Sequence, residues 1–283
     1  MRTAVVTDST ARPVAPAVAV VDLDVVVDGE PAREVDTDLD ALLARMGAGA
    51  QVGTSRPSPD GFARAYAAAA DAGASAAVSV HLSGALSGTV DAARLAASGA
   101  PIRVEVVDTG SVGAALCAAV QVAAAAAADG ADAGRVARLA RQVGDRSRTW
   151  FSPATAAHLS RGGRGGTEPE RAGLSARPVL LVADGRLVPL ERARTTGRVL
   201  DRLAELAVER LRELAVAVPP EDGVVEVVVQ HAGAAGPADD LVRRLRGGAA
   251  GVVPVRVRPL SPVLAAHVGP GAVGLAVVVT PRR

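Results

Sequence analysis

The sequence predicts an α/β protein in two domains, an N-terminal parallel sheet covered by helices and a smaller C-terminal domain built on a mixed sheet. Three observations carry this. Through residue 146, short Val/Ala-rich runs alternate with helical patterns, as crossover connections between parallel strands require. Over 151–173, FSPATAAHLSRGGRGGTEPERAG replaces the apolar pattern with Gly, Pro and charge, which places a domain change there and divides the chain into 1–155 and 156–283. Beyond it, RPVLLVA and RLVPLERA are joined by Asp184–Gly185, and an Asp-Gly pair between strand-like runs signals a tight hairpin.

The elements follow in order. TAVVTD reads as the opening strand, and a helix is centred on Leu39–Met46. SPDGFARAYAAAADAG sets Ser and Pro before a helical pattern, as helix starts do. Strand SAAVSVHL, a helix after Ser87 and strand IRVEVVDT come next. GAALCAAVQVAAAAAADG has almost no polar face, so it reads as a helix buried between layers; the basic helix ADAGRVARLARQVGDRSR follows. After the hairpin come an amphipathic helix over Gly197–Leu214, strand GVVEVVVQHAG, helix PADDLVRRLRGG, and strands VVPVRVRPL and GLAVVVTP.

Composition excludes several functions. The formal net charge is +1 and aromatic residues make up 1% of the 283 residues, which leaves neither a basic field nor stacking surface for nucleic acid. Every basic residue is Arg, Lys and Asn are absent and Ile occurs once, a skew that codon bias explains better than function. MRTAVVTDST reaches an aspartate before any long apolar core, so it resembles neither a signal peptide nor a membrane span, and a cytoplasmic protein is expected. Cys117 sits inside the alanine-rich run and reads as a small buried hydrophobe.

Familiar site motifs fail on context. GPGAVG at Gly269–Gly274 runs into a strand instead of opening a helix, and a Walker loop needs a lysine that the chain lacks. RGGRGG is too short and isolated for an RNA-binding repeat. His81, His158, His231 and His267 show no metal-ligand spacing, so neither a metal nor a cofactor is expected.

Three hydroxyl-rich turns remain: TDST, GTSRPSP at Gly53–Pro59, and LSGALSGT. In a parallel sheet, turns at the strands' carboxyl ends converge on one edge, and helix starts there present free N–H groups to an anion. Ser87 is then an anion ligand or merely a helix cap. Arg194 in ERARTTG adds a cation or a solvated charge. His267 in LAAHVGPGA, read as a glycine-flanked loop, adds a donor or an ordinary loop residue. The same turns offer Asp8, Ser9, Ser55, Ser83, Gly88 and Gly269 as further contacts.

The ordered set TDST, GTSRPSP, LSGALSGT, VVDTGSVG, HLSRGGR, RPVLLVADGRLVPLERART and HVGPGAVGL resembles the DegV family from end to end. The resemblance implies two α/β domains with a long-chain fatty acid between them. It also implies a non-catalytic protein that presents the acid to a separate fatty acid kinase. The family's carboxylate ligands fall on Thr54, Ser87, Arg194 and His267. Arg56 stands where the family commonly has glutamine, and RGGTEPE replaces the apolar continuation usual after GGR. The rival readings are a serine hydrolase acting on a lipid or ester through Ser87 or Ser83, although no GxSxG elbow is present, and a regulatory lipid-binding protein with no kinase partner.

Overall fold

The computed structural model describes residues 2–155, 176–217, 223–247 and 253–282. Its first strands are β1 (Thr3–Asp8), β2 (Ala19–Val21), β3 (Asp24–Val27) and β4 (Glu30–Arg33), followed by helix α1 (Leu39–Gly47) and strand β5 (Val52–Ser55). Then come α2 (Pro59–Asp71), β6 (Ala76–His81), α3 (Thr89–Ala97), β7 (Arg103–Asp108), α4 (Ala114–Ala128) and α5 (Ala133–Arg146). The second half carries β8 (Arg148–Ser152), β9 (Arg177–Ala183), β10 (Arg186–Ala193) and α6 (Thr196–Ala217). It closes with β11 (Val224–His231), α7 (Ala235–Gly247), β12 (Val255–Pro259), α8 (Pro262–Val268) and β13 (Val273–Thr280).

The α/β architecture is as the sequence predicts. A parallel sheet runs β2-β1-β6-β7, and a mixed sheet runs β10-β9-β8-β13-β11-β12, in which only β11 and β12 pair in parallel. The hairpin turn is where Asp184–Gly185 places it, with φ 49 at Asp184 and 74 at Gly185, the left-handed pair that a tight hairpin needs.

Four features differ from the sequence reading. An antiparallel β4-β3-β5 ribbon was not expected, although its turn, Asp28–Gly29, carries the same signal at φ 54 and 91. β8 lies before residue 155 yet pairs with β9 and β13, so we propose that the second unit starts at Arg148. That unit's sheet has six strands against four in the parallel sheet. Lastly, α8 occupies what reads as a loop around His267: Pro262 at its start and Gly269, at φ 79, after its end bracket only 7 residues.

The alanine-rich α4 is buried between layers. With α5 it packs on Val5, Val78 and Val107 of the parallel sheet and on Val228, Ala276 and Val278 of the mixed sheet, all in one core. A helix apolar on every side satisfies both neighbours at once. Its start is capped across the unit boundary: Gln230 Oε1 accepts from the Ala114 N–H at 2.8 Å. A Cβ at Gly113, where φ is 60, would lie 2.5 Å from that oxygen, so glycine is what leaves the cap its room.

Candidate functional site

The β6–α3 turn is held from below and from the side. The Gly84 N–H donates to both oxygens of Asp108 at 3.1 Å, and the Ser83 hydroxyl donates to the Gly185 carbonyl at 2.6 Å. Ser87 then stands at the mouth of α3. Its hydroxyl shares a 2.8 Å hydrogen bond with Thr89 Oγ1 and accepts from the Thr89 N–H at 3.3 Å. The helix cap itself is Gly88, which has no side chain to offer.

Thr54 and His267 meet although they are far apart in the chain. Thr54 pairs with Val25 in the ribbon, and its Oγ1 lies 2.8 Å from His267 Nε2. The histidine is carried in the last turn of α8, whose start is fixed by two groups. The Ser261 hydroxyl accepts from the Leu264 N–H at 3.4 Å, and Glu34 Oε1 accepts from the Val263 N–H at 2.8 Å. Glu34 is 3% exposed. Burial pushes its carboxyl above the usual range, opposed by the Ser9 and Ser261 hydroxyls and the Val263 N–H.

Thr54, Ser87, Gly88 and His267 line one cavity of about 290 Å³ between the two units. The rest of its wall is mainly apolar. Leu82 and Leu86 come from the β6–α3 turn, Trp150 and Phe151 from β8, and Leu264 and Leu275 from the α8–β13 side. Arg56, Thr149 and Gln230 add polar groups. A mainly apolar space with a few polar groups on its wall is the usual form of a small-molecule site.

The remaining sequence candidates lie elsewhere. Arg194 is exposed just past β10 and is not on this cavity's wall. Ser55 is exposed and donates to Asp24 Oδ2 at 3.1 Å. Ser83 is engaged with Gly185, and Gly269 caps α8. Ser9 is buried, accepts from the Leu23 N–H at 3.0 Å and borders a separate cavity of about 560 Å³. Asp8 is 0% exposed; its Oδ2 binds His81 Nδ1 at 3.0 Å and accepts from the Leu82 N–H at 3.1 Å. His158, HLSRGGR and RGGTEPE lie outside the described residues.

Cavity-lining residues that the sequence did not single out as candidates include Arg56 and Gln230. Arg56 sits inside the quoted GTSRPSP turn, so its position was a usable signal. Gln230 had none, since a glutamine near a strand end is unremarkable.

The hydroxyl–imidazole contact nearest to a hydrolase arrangement is sealed. Ser79 Oγ lies 2.7 Å from His81 Nε2 and 2.8 Å from the Tyr66 hydroxyl, with Ser79, His81 and Asp8 all 0% exposed. Phe62 stands edge-on to His81 at 5.0 Å. Burial pushes the Tyr66 hydroxyl up to about 12. No substrate reaches this row, which ties β1, β6 and α2 together. Among the described residues no group of His, Cys, Asp and Glu could hold a metal ion, and no helix is long and apolar enough to cross a membrane.

Comparison with known proteins gives the family and the fold. The DegV family model, described as uncharacterised protein of that family, matches residues 2–280. A DegV domain-containing protein of Streptomyces coelicolor is 37% identical over 283 residues, 97% of each chain. A DegV family structure from Thermus thermophilus, described as binding fatty acid, superposes with a TM-score of 0.82 at 29% identity over 100% of both chains. A fatty acid binding DegV family structure from Streptococcus agalactiae reaches a TM-score of 0.87 at 23% identity, again over 100% of both, which shows the shared fold.

Proposed function

The chain belongs to the DegV family, and on that premise we propose that it binds a long-chain fatty acid and presents the carboxylate to a separate fatty acid kinase. The observation that carries the reading is the single cavity in which a mainly apolar wall meets the Thr54–His267 pair and Ser87. A carboxylic acid is ionised at neutral pH, and clustered donors hold its head with charge-assisted hydrogen bonds. The tail contributes about 0.8 kcal/mol per buried methylene, so a sixteen-carbon chain gains on the order of 10 kcal/mol before ordering costs. Affinity then comes from the tail and orientation from the head.

The protein acts as a carrier and not as a catalyst. In the partnered reaction a carboxylate oxygen attacks the γ-phosphorus of ATP on the kinase, giving acyl phosphate and ADP. Without a lysine this chain has no Walker loop to hold ATP itself. The engagement of Ser83 with Gly185 and of Ser87 with Thr89 supports the carrier over a serine hydrolase. A cytoplasmic site of action follows from the kinase's need for ATP.

Mass spectrometry of the organic extract of protein purified from a bacterial host tests the reading. Roughly one long-chain acid per chain is expected; an extract with no acyl chain overturns it. Acyl phosphate should form only when a fatty acid kinase and ATP are added. Lipid without such turnover would favour the regulatory protein, and turnover without a kinase would make the chain an enzyme.

A further inference from the structure

We infer that Arg56 is the cationic contact for the ligand's head group and makes the site prefer an ionised head over a neutral one. The inference rests on the fatty-acid reading and adds to it the residue that selects charge.

Arg56 follows Ser55 at the end of β5 and precedes the buried Pro57, and a residue before proline is restricted to extended backbone. The chain therefore leaves the ribbon in a fixed direction, and the side chain crosses to α3. A Cβ on Gly88 would lie 2.7 Å from Arg56 Nη1 and 2.9 Å from its Cδ. The arginine thus lies against the first residue before α3, on the wall of the cavity that Ser87, Thr54 and His267 also line.

Among the described residues no carboxylate is within ion-pair distance of Arg56, whereas Arg12, Arg45 and Arg141 each have one. The helix start beside it presents partial positive charge of its own. Two positive features side by side on the wall of a mainly apolar cavity are complemented by an anion on an aliphatic tail. Both arginines are exposed, but only Arg56 lies on the cavity wall, so Arg194 does not fill this place.

The test is equilibrium binding of palmitate and of the corresponding primary alcohol to the wild type, Arg56→Gln, Gly88→Ala and the double variant. Gly88 has φ −71, so alanine suits the backbone while its methyl displaces the guanidinium without removing the charge. Arg56→Gln should weaken palmitate about tenfold and the alcohol less than about twofold, and should flatten the loss of palmitate affinity with added salt. Gly88→Ala should weaken palmitate in the wild type but add little to Arg56→Gln. Equal losses for acid and alcohol, no loss for either, or additive losses in the double variant would overturn the assignment while leaving the fatty-acid reading intact. A wild type that binds neither lipid would overturn that reading and the assignment with it.

Discussion

The Ser83 hydroxyl reaches the Gly185 carbonyl across 2.6 Å, joining the β6–α3 turn of the parallel sheet to the hairpin turn of the mixed sheet. A Cβ at residue 185 would stand 2.5 Å from Ser83 Oγ, at a φ of 74 that L residues rarely adopt. Gly185→Ala should therefore lower stability by about 1–3 kcal/mol, and Ser83→Ala by about 1 kcal/mol. Urea midpoints measure both, and an unchanged midpoint for Gly185→Ala would refute the close approach.

Head and tail of the ligand should separate experimentally. Thr54→Val, Ser87→Ala and His267→Ala each remove a polar group from the cavity wall, so each should weaken fatty-acid binding by about 1–3 kcal/mol at every chain length. Plots of binding free energy against carbon number should run parallel to the wild type. Lines that diverge as the tail lengthens would mean that the residue lines the tail instead.

Arg194 offers a contrast. Being exposed past β10 and away from the cavity wall, it is free to meet a partner. Arg194→Ala should change palmitate affinity less than about threefold, as a surface charge does, yet sharply reduce kinase-dependent acyl phosphate formation. Equal losses in both assays would place it on the head group.

Glu34 gives a pH signature. Burial holds its carboxyl above the ordinary 4.5, so between 4.5 and the raised native value the folded state binds more protons than the unfolded one, and stability falls as pH rises through that window. Glu34→Gln keeps an oxygen for the Val263 N–H and removes the buried charge. At pH 7 the variant should exceed the wild type by about 1 kcal/mol, with the gain shrinking as pH falls through that window and gone below 4.5. Identical pH profiles in urea titrations would contradict this.

Cys117 should be slow to react. Cys117 is half-buried, and that desolvation pushes its thiol up to about 11, whereas the thiolate is the nucleophile. Iodoacetamide at pH 8 should label the native chain at least about tenfold more slowly than the urea-unfolded chain; equal rates would contradict the raised value.

How far the sequence reaches depends on whether a feature has a local cause. Asp184–Gly185 and the two-faced apolar α4 announce themselves, because turn chemistry and helical periodicity act over a few residues. The Asp28–Gly29 turn has the same chemistry but follows the long apolar run AVAVVDLDVVV, in which strand ends are hard to see. α8 is too short to show a period, and β8 offers only TWF as an apolar core. Thr54 and His267 are 213 residues apart, so no window contains both; the family resemblance singled them out, while periodicity did not. Choosing between Arg56 and Arg194 is a question of direction in space, since both lie beside hydroxyl-bearing stretches.

The alanines of α4 act as a spacer. Ala115, Ala119 and Ala123 are 0% exposed, and a methyl-sized side chain lets a helix sit close to a neighbour on either side. The gap between the two sheets is thereby gauged by residues off the cavity wall, while Val112 and Gly113, which lead into the same helix, line the cavity. Drift of an alanine toward leucine would act as a shim, levering the sheets apart and resetting the bore of the cavity from a distance.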